Sequence, residues 1–114
     1  MSLLSEIHAI LRPVGVPVET GLFSDKAPDE YIVVVPLTEN YDYFADNLPQ
    51  VDVHEARISI FSKGNYLSIK NAVVKAFLAA EFTVTNRQYI GYEADTGYHH
   101  YNVDVANYYE TEDI

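Results

Sequence analysis

The sequence predicts an α+β domain: an antiparallel or mixed β-sheet with one long covering helix, a short N-terminal helix and a C-terminal β-hairpin. Three observations predict it. Asp52 to Ser62 alternates between apolar and polar residues with the period of a strand. The stretch that follows, to about Ala80, repeats its apolar residues with the period of a helix. Two strand-like segments, Phe82 to Tyr92 and Tyr98 to Tyr109, then flank the turn Ala94-Asp95-Thr96-Gly97. At 114 residues, 48% of them apolar, the chain suits one domain over residues 1–114 with a core of its own.

Taken in order, Leu3, Leu4, Ile7, Ile10 and Leu11 follow the helical period, and Ser2 is placed to cap the helix they form. Pro13 and Gly15 stop it. Val16 to Thr20 reads as a short strand, with Pro17 marking an edge. Ser24 to Glu30 is a polar turn segment. Tyr31 to Leu37 is a near-continuous apolar run, expected to be buried on both faces. Pro36 cannot donate to a ladder, so this strand is either an edge or ends there. Asn40 to Gln50 is polar and aromatic, and reads as a hairpin arm or a protruding loop.

In the alternating strand, His54, Ala56, Ile58 and Ile60 share one face, and Val53, Glu55, Arg57, Ser59 and Phe61 share the other. Glu55 and Arg57 can pair with each other or with cross-strand neighbours. Ser62 or Asn65 caps the second helix. Its stripe of Tyr66, Ile69, Val73, Phe77 and Ala80 should meet the sheet. Leu67, Val74 and Leu78 make a second strip beside it, which is either the margin of one wide core-facing stripe or a subunit contact. In the last strand His99, Tyr101, Val103 and Val105 oppose His100, Asn102, Asp104 and Ala106. The acidic tail from Glu110 to Ile114 is expected to fray.

Composition excludes several functions. Cysteine is absent, so disulfides and thiolate metal sites are excluded and a reducing cytoplasm is the natural setting. The opening MSLLSEIHAILR lacks the basic start and long apolar run of a signal peptide, and nothing approaches the ~20 apolar residues of a spanning helix. Seventeen acidic and seven basic residues give a net charge of −10, which disfavours sequence-reading of nucleic acid through a basic groove. Ten tyrosines without a tryptophan suit both strands and contact surfaces.

No catalytic motif rises above its bland alternative. Asp95-Thr96-Gly97 copies the aspartic-protease tripeptide, but it lacks apolar flanks and occurs once, so it reads as a hairpin turn. His99 and His100 are neighbours on a strand and point to opposite faces, which prevents them from sharing a metal ion. Asp42, Asp46 and Asp52 do not have the spacing of a calcium loop. P-loop, nucleophile-elbow and dinucleotide-binding motifs are absent. The expectation is a protein that is not an enzyme, with no cofactor and no metal.

The succession of short helix, strands, an alternating strand ending in Ile60-Phe61-Ser62, long helix and closing hairpin resembles the tail-completion (tail terminator) proteins of long-tailed bacteriophages and prophages. Three segments carry the resemblance: VETGLFSDKAPDEYIVVV from Val18 to Val35, with Ala27-Pro28 before the apolar run; Val51 to Ala80; and GYHHYNVDVANYYE from Gly97 to Glu110. It implies a structural protein without an active site, assembled in the bacterial cytoplasm and ending in the virion tail. Such proteins form a ring, commonly of six subunits, that caps the tail tube and joins it to the head connector. Isolated subunits can remain monomers until they meet the tube. The implied partners are further copies of the chain, the tail tube protein and the head connector protein, with no sequence-specific nucleic acid and no membrane.

On that reading the functional residues are interface residues. Tyr41, Tyr43 and Phe44 would be aromatic anchors in the segment Asn40 to Gln50, unless that segment folds back on its own core; Leu67, Val74 and Leu78 would be the helix contact. Two alternatives share the sequence features. One is a head-completion or connector protein of the same assembly module. The other is a small cytosolic module binding a ligand or peptide in a pocket lined by Tyr89, Tyr92, Tyr98 and Tyr101.

Overall fold

A computed structural model describes residues 2–20, 27–45 and 48–110, with the side chains of 42–45 and 48–50 left out. Helix α1 spans Leu3–Leu11 and α2 spans Tyr66–Ala79; the strands are β1 (Val18–Thr20), β2 (Glu30–Ala45), β3 (Leu48–Ser62), β4 (Thr83–Glu93) and β5 (Tyr98–Glu110). They form one sheet in the order β1-β2-β3-β5-β4. β1 runs parallel to β2, and the other pairs are antiparallel, so the sheet is mixed.

Local chemistry sets the helix ends. The Ser2 hydroxyl accepts the Ser5 N–H and starts α1. Pro13 sits in the 3-10 turn Arg12–Val14, which ends on Gly15 at φ 80°, a left-handed conformation that glycine adopts without steric cost. Asn65, rather than Ser62, caps α2 by accepting the Ser68 N–H. Ser62 is fully buried; it donates to Glu30 and accepts from the Gly64 N–H, which ties the end of β3 to the start of β2.

Both helices lie on one face of the sheet. Leu3, Ile7 and Leu11 of α1, with Ile69, Val73 and Phe77 of α2, pack on Ile32, Val34, Ala56, Ile58, Ile60, Val103 and Val105. Each of these side chains other than Ala56 contributes about 1.5–3 kcal/mol by leaving water. The expected α2 stripe therefore meets the sheet at Ile69, Val73 and Phe77. Tyr66 is half-buried, and Ala80 is the exposed C-cap.

Among the described residues no helix covers the opposite face. Its rows are short cross-strand ladders: Val35–Arg57–Asp104, Val33–Ser59–Asn102 and Tyr31–Phe61–His100. Ser59 Oγ donates to Asn102 Oδ1 at 2.9 Å, and both residues are buried. Phe61 stacks on Tyr31 at 4.7 Å and on His100 at 4.3 Å between ring centroids. The Tyr98 hydroxyl donates to the Pro28 carbonyl, fastening the start of β5 to the segment that leads into β2.

One expectation about β2 is overturned in part. Of the two alternatives at Pro36 the edge holds and the end does not, and full burial on both faces stops at Val34. The strand continues to Ala45, and Leu37 is 37% exposed. The register shifts between Pro36 and Thr38, so Leu37 forms a bulge that lets the ladder pass the proline. β1 covers Ile32 to Val34, and among the described residues the outer side of β2 from Val35 onward is an open edge.

Candidate functional site

The segment expected as an arm or loop is the end of a long hairpin. Beyond the bulge, β2 and β3 stay paired from Thr38↔Glu55 to Ala45↔Leu48. At ~3.3 Å per residue, a 16-residue strand such as β2 reaches ~53 Å, close to the 54 Å longest dimension of the molecule. The arm carries Tyr41, which is 55% exposed. The backbone of Tyr43 and Phe44 belongs to β2, and their side chains lie outside the described residues.

The second strip of α2 divides. Val74 is partly buried and packs against the core, whereas Leu67 and Leu78 are 49% and 57% exposed. Val74 is therefore the margin of the core-facing stripe, and the two leucines flank it in water.

The structure does not assemble the tyrosine pocket. Tyr89 pairs with Tyr101 and Tyr92 with His99, on the helix side, where Tyr66 packs against Tyr89, His99 and Tyr101. Tyr98 points to the other face, against Tyr31 and Phe61. An odd separation along a strand reverses the face, so Tyr98 and Tyr101 cannot line one pocket. Tyr89 and Tyr92 also differ by three, yet a bulge at Ile90 returns Tyr92 to the side of Tyr89.

The remaining polar candidates separate similarly. His99 accompanies Tyr66, Tyr89 and Tyr92 on the helix side, while His100 stacks on Phe61 across the sheet. Burial pushes the His100 imidazole below its ordinary pKa. Asp95 lies in the β4–β5 turn, closed by the Gly97 N–H donating to the Glu93 carbonyl, with Gly97 at φ 82°. Among the described residues no group of three His, Asp or Glu side chains is arranged to hold a metal ion. No helix is long and apolar enough to cross a membrane.

At the root of the arm, Leu3, Leu4, Pro36, Glu39, Asp52, His54 and Tyr109 line a groove of about 440 Å³. His54 Nε2 lies 2.8 Å from Asp52 Oδ2, and its ring packs on Tyr109 at 4.8 Å. Burial, helped by the charge of Glu6, pushes the Tyr109 phenol up to about 12. A neutral phenol and a histidine–carboxylate pair can orient a polar segment here. Ser2 also lines the groove, but its hydroxyl is engaged at the α1 cap, accepting the Ser5 N–H and donating to Ser5 Oγ, and it makes no hydrogen bond to His54, so the geometry shows no nucleophile–base pair.

Sequence reasoning missed the outer edge of β4. That strand is exposed along nearly its whole length, with Tyr89 at 43%, Ile90 at 46% and Tyr92 at 57% exposure. The weak alternation of Thr83 to Glu93, compared with the clean alternation of β3, was the available signal.

The exposed apolar residues thus collect on sheet edges and one helix flank. The fold is similar to that of a chain in the solved virion of a native gene transfer agent particle. The TM-score is 0.58 at 14% identity, and the likeness covers 96% of this chain and 95% of that one. It is a likeness of fold. No protein-family model and no curated protein matches the sequence.

Proposed function

We propose that this protein is a structural component of a phage-type particle, and specifically a tail terminator: a ring that caps the tail tube and joins it to the head. The observation that carries the reading is the fold likeness to a virion chain, which runs nearly end to end in both partners. The exposed surfaces and charge of the subunit suit the role. A ring of identical subunits needs two different surfaces that fit each other, and the hairpin arm with Tyr41 and the α2 flank with Leu67 and Leu78 offer them. A net charge of −10 suits a conduit for DNA, because like charge keeps passing phosphates from adhering.

The test is the variant Tyr43→Ala with Phe44→Ala in a phage or prophage that carries the chain. The expected result is a folded protein at normal levels, with tails that overgrow or fail to join heads. Tails of normal length and normal infectivity would overturn the assignment of Tyr43 and Phe44 to the interface. Co-purification with a portal-side connector instead of the tail tube would move the protein to the head-completion class.

A further inference from the structure

We propose that the subunits join by sheet extension: the outer edge of β4 pairs with the open outer edge of β2, residues 35–45, of a second copy. This rests on the ring reading and names its interface. β4 and β2 lie on opposite sides of the sheet, so the contact is heterologous and propagates around a ring instead of closing a two-fold dimer. The two strands run in opposite directions, because each step from β2 through β3 and β5 to β4 is antiparallel. A neighbour carried along the sheet therefore meets β4 in the antiparallel sense, the more stable pairing. β4 has eleven residues, and the stretch of β2 that β1 leaves uncovered, 35–45, also has eleven. Because β1 stops at the level of Val34, a docked β4 and β1 occupy the same edge end to end.

Full overlap of the two edges sets Arg87 opposite Tyr41 and diagonal to Glu39. The faces agree: Arg87 stands across from Val103 on the helix side, and Tyr41 across from Asp52, itself across from Tyr109, on the same side. The charges agree too. Arg87 and Glu39 are both exposed, and neither has an ionic partner among the described residues. The same overlap brings Tyr89, Ile90 and Tyr92 against the arm's root around Leu37, so apolar residues exposed on each edge cover each other.

The step size comes near that of a closed ring. Within one chain Thr83 is level with Ala106, Glu55 and Thr38, whereas in the joint it meets residue 45 of the neighbour. Each subunit then advances roughly 23 Å along the strands and roughly 19 Å across four strand spacings. That is a strand tilt of about 50°, slightly beyond the ~35–45° at which strands close into barrels.

The chain has no cysteine, so single cysteines report the contact cleanly. Tyr41→Cys and Arg87→Cys proteins, each checked for folding by circular dichroism, are mixed and oxidised. Directly opposite strand residues lie within disulfide reach. The expected result is a 41–87 heterodimer at least about tenfold above a control mixture of Tyr41→Cys with Lys75→Cys. The double variant should give a ladder that ends in a closed species. A heterodimer no more abundant than the control, or a Tyr41→Cys homodimer in its place, overturns the edge pairing. Rings on tail tubes without the 41–87 link would overturn this interface and leave the terminator reading intact. The link, with co-purification of a portal-side connector instead of the tail tube, would do the reverse.

Discussion

Arg57 and Asp104 stand directly opposite each other on β3 and β5, joined by two contacts, Nε to Oδ1 at 2.9 Å and Nη2 to Oδ2 at 3.1 Å, on the helix-free face of the sheet. This bidentate pair locks the register of two strands whose partners are 47 residues apart in sequence. Its two members differ in surroundings: the Asp104 side chain is 8% exposed and that of Arg57 is 39%. Asp104→Ala should lower stability by about 1–2 kcal/mol, since Arg57 can turn to water once its partner is lost. Arg57→Ala should cost more, because it strands a buried carboxylate. Urea midpoints of the two single variants check this, and an Asp104→Ala midpoint lower than that of Arg57→Ala would reverse the assignment.

Helix α2 ends against steric preference. Glu81 adopts φ 65°, while the Phe82 N–H donates to the Phe77 carbonyl and the Glu81 N–H to the Leu78 carbonyl. The Phe77 and Phe82 rings meet at 5.3 Å and complete a Schellman ending in which glycine is the usual left-handed residue. Glutamate there costs roughly 1–2 kcal/mol. Glu81→Gly should therefore raise stability by about 1 kcal/mol after the added freedom of the unfolded chain is subtracted. Thermal melting should shift up by several degrees, and a downward shift would mean that the Glu81 side chain holds the turn by another route.

What was legible in the sequence was whatever depends on local period. The alternation of β3 and β5 placed Ala56, Ile58, Ile60, Val103 and Val105 toward the helices, and that is where they lie. The α2 stripe and the separation of His99 from His100 follow from the same periods. What escaped were the places where period breaks. Pro36 left open whether β2 was an edge or ended there, and the bulge at Leu37 decides it by carrying the strand on as the edge of an arm. The bulge at Ile90 sets Tyr92 beside Tyr89, and no local propensity announces it. The partner of Arg57 was illegible too, because it depends on the joint register of a hairpin and a distant strand. Edge residues were hardest: an exposed tyrosine on β4 looks in sequence like a buried one on β5.

His100 makes the helix-free face sensitive to pH. Burial against Phe61 lowers its pKa from the ordinary value, opposed by a hydrogen bond that the imidazole donates to Asn102 and by the charge of Glu93, and reinforced by the charge of Arg57. The folded protein thus binds fewer protons at this site than the unfolded chain. Its contribution is fully present above the unfolded value of about 6.5 and is lost as pH falls through the lower folded value. Stability should decline between neutral pH and pH 5, and His100→Phe, which keeps the stack, should flatten part of that decline. An unchanged slope in the variant would assign the decline to carboxylates.

The two leucines and the valine of the α2 strip should respond differently to substitution. Val74 packs on the core, so Val74→Ala should cost about 0.5–1.5 kcal/mol of folding stability, as deletion of buried methyl groups does. Leu67 and Leu78 are half in water, so Leu67→Ser with Leu78→Ser should stay within about 0.5 kcal/mol of the parent for each change. Assembly should show the opposite ranking. If the flank of α2 is covered in the ring, the double serine variant loses buried apolar area in every subunit and weakens oligomerisation, while Val74→Ala leaves it unchanged. Denaturation curves and native mass spectrometry of the same preparations measure both quantities. A double serine variant that assembles like the parent would remove α2 from the interface and leave the β4 and β2 edges to hold the subunits together.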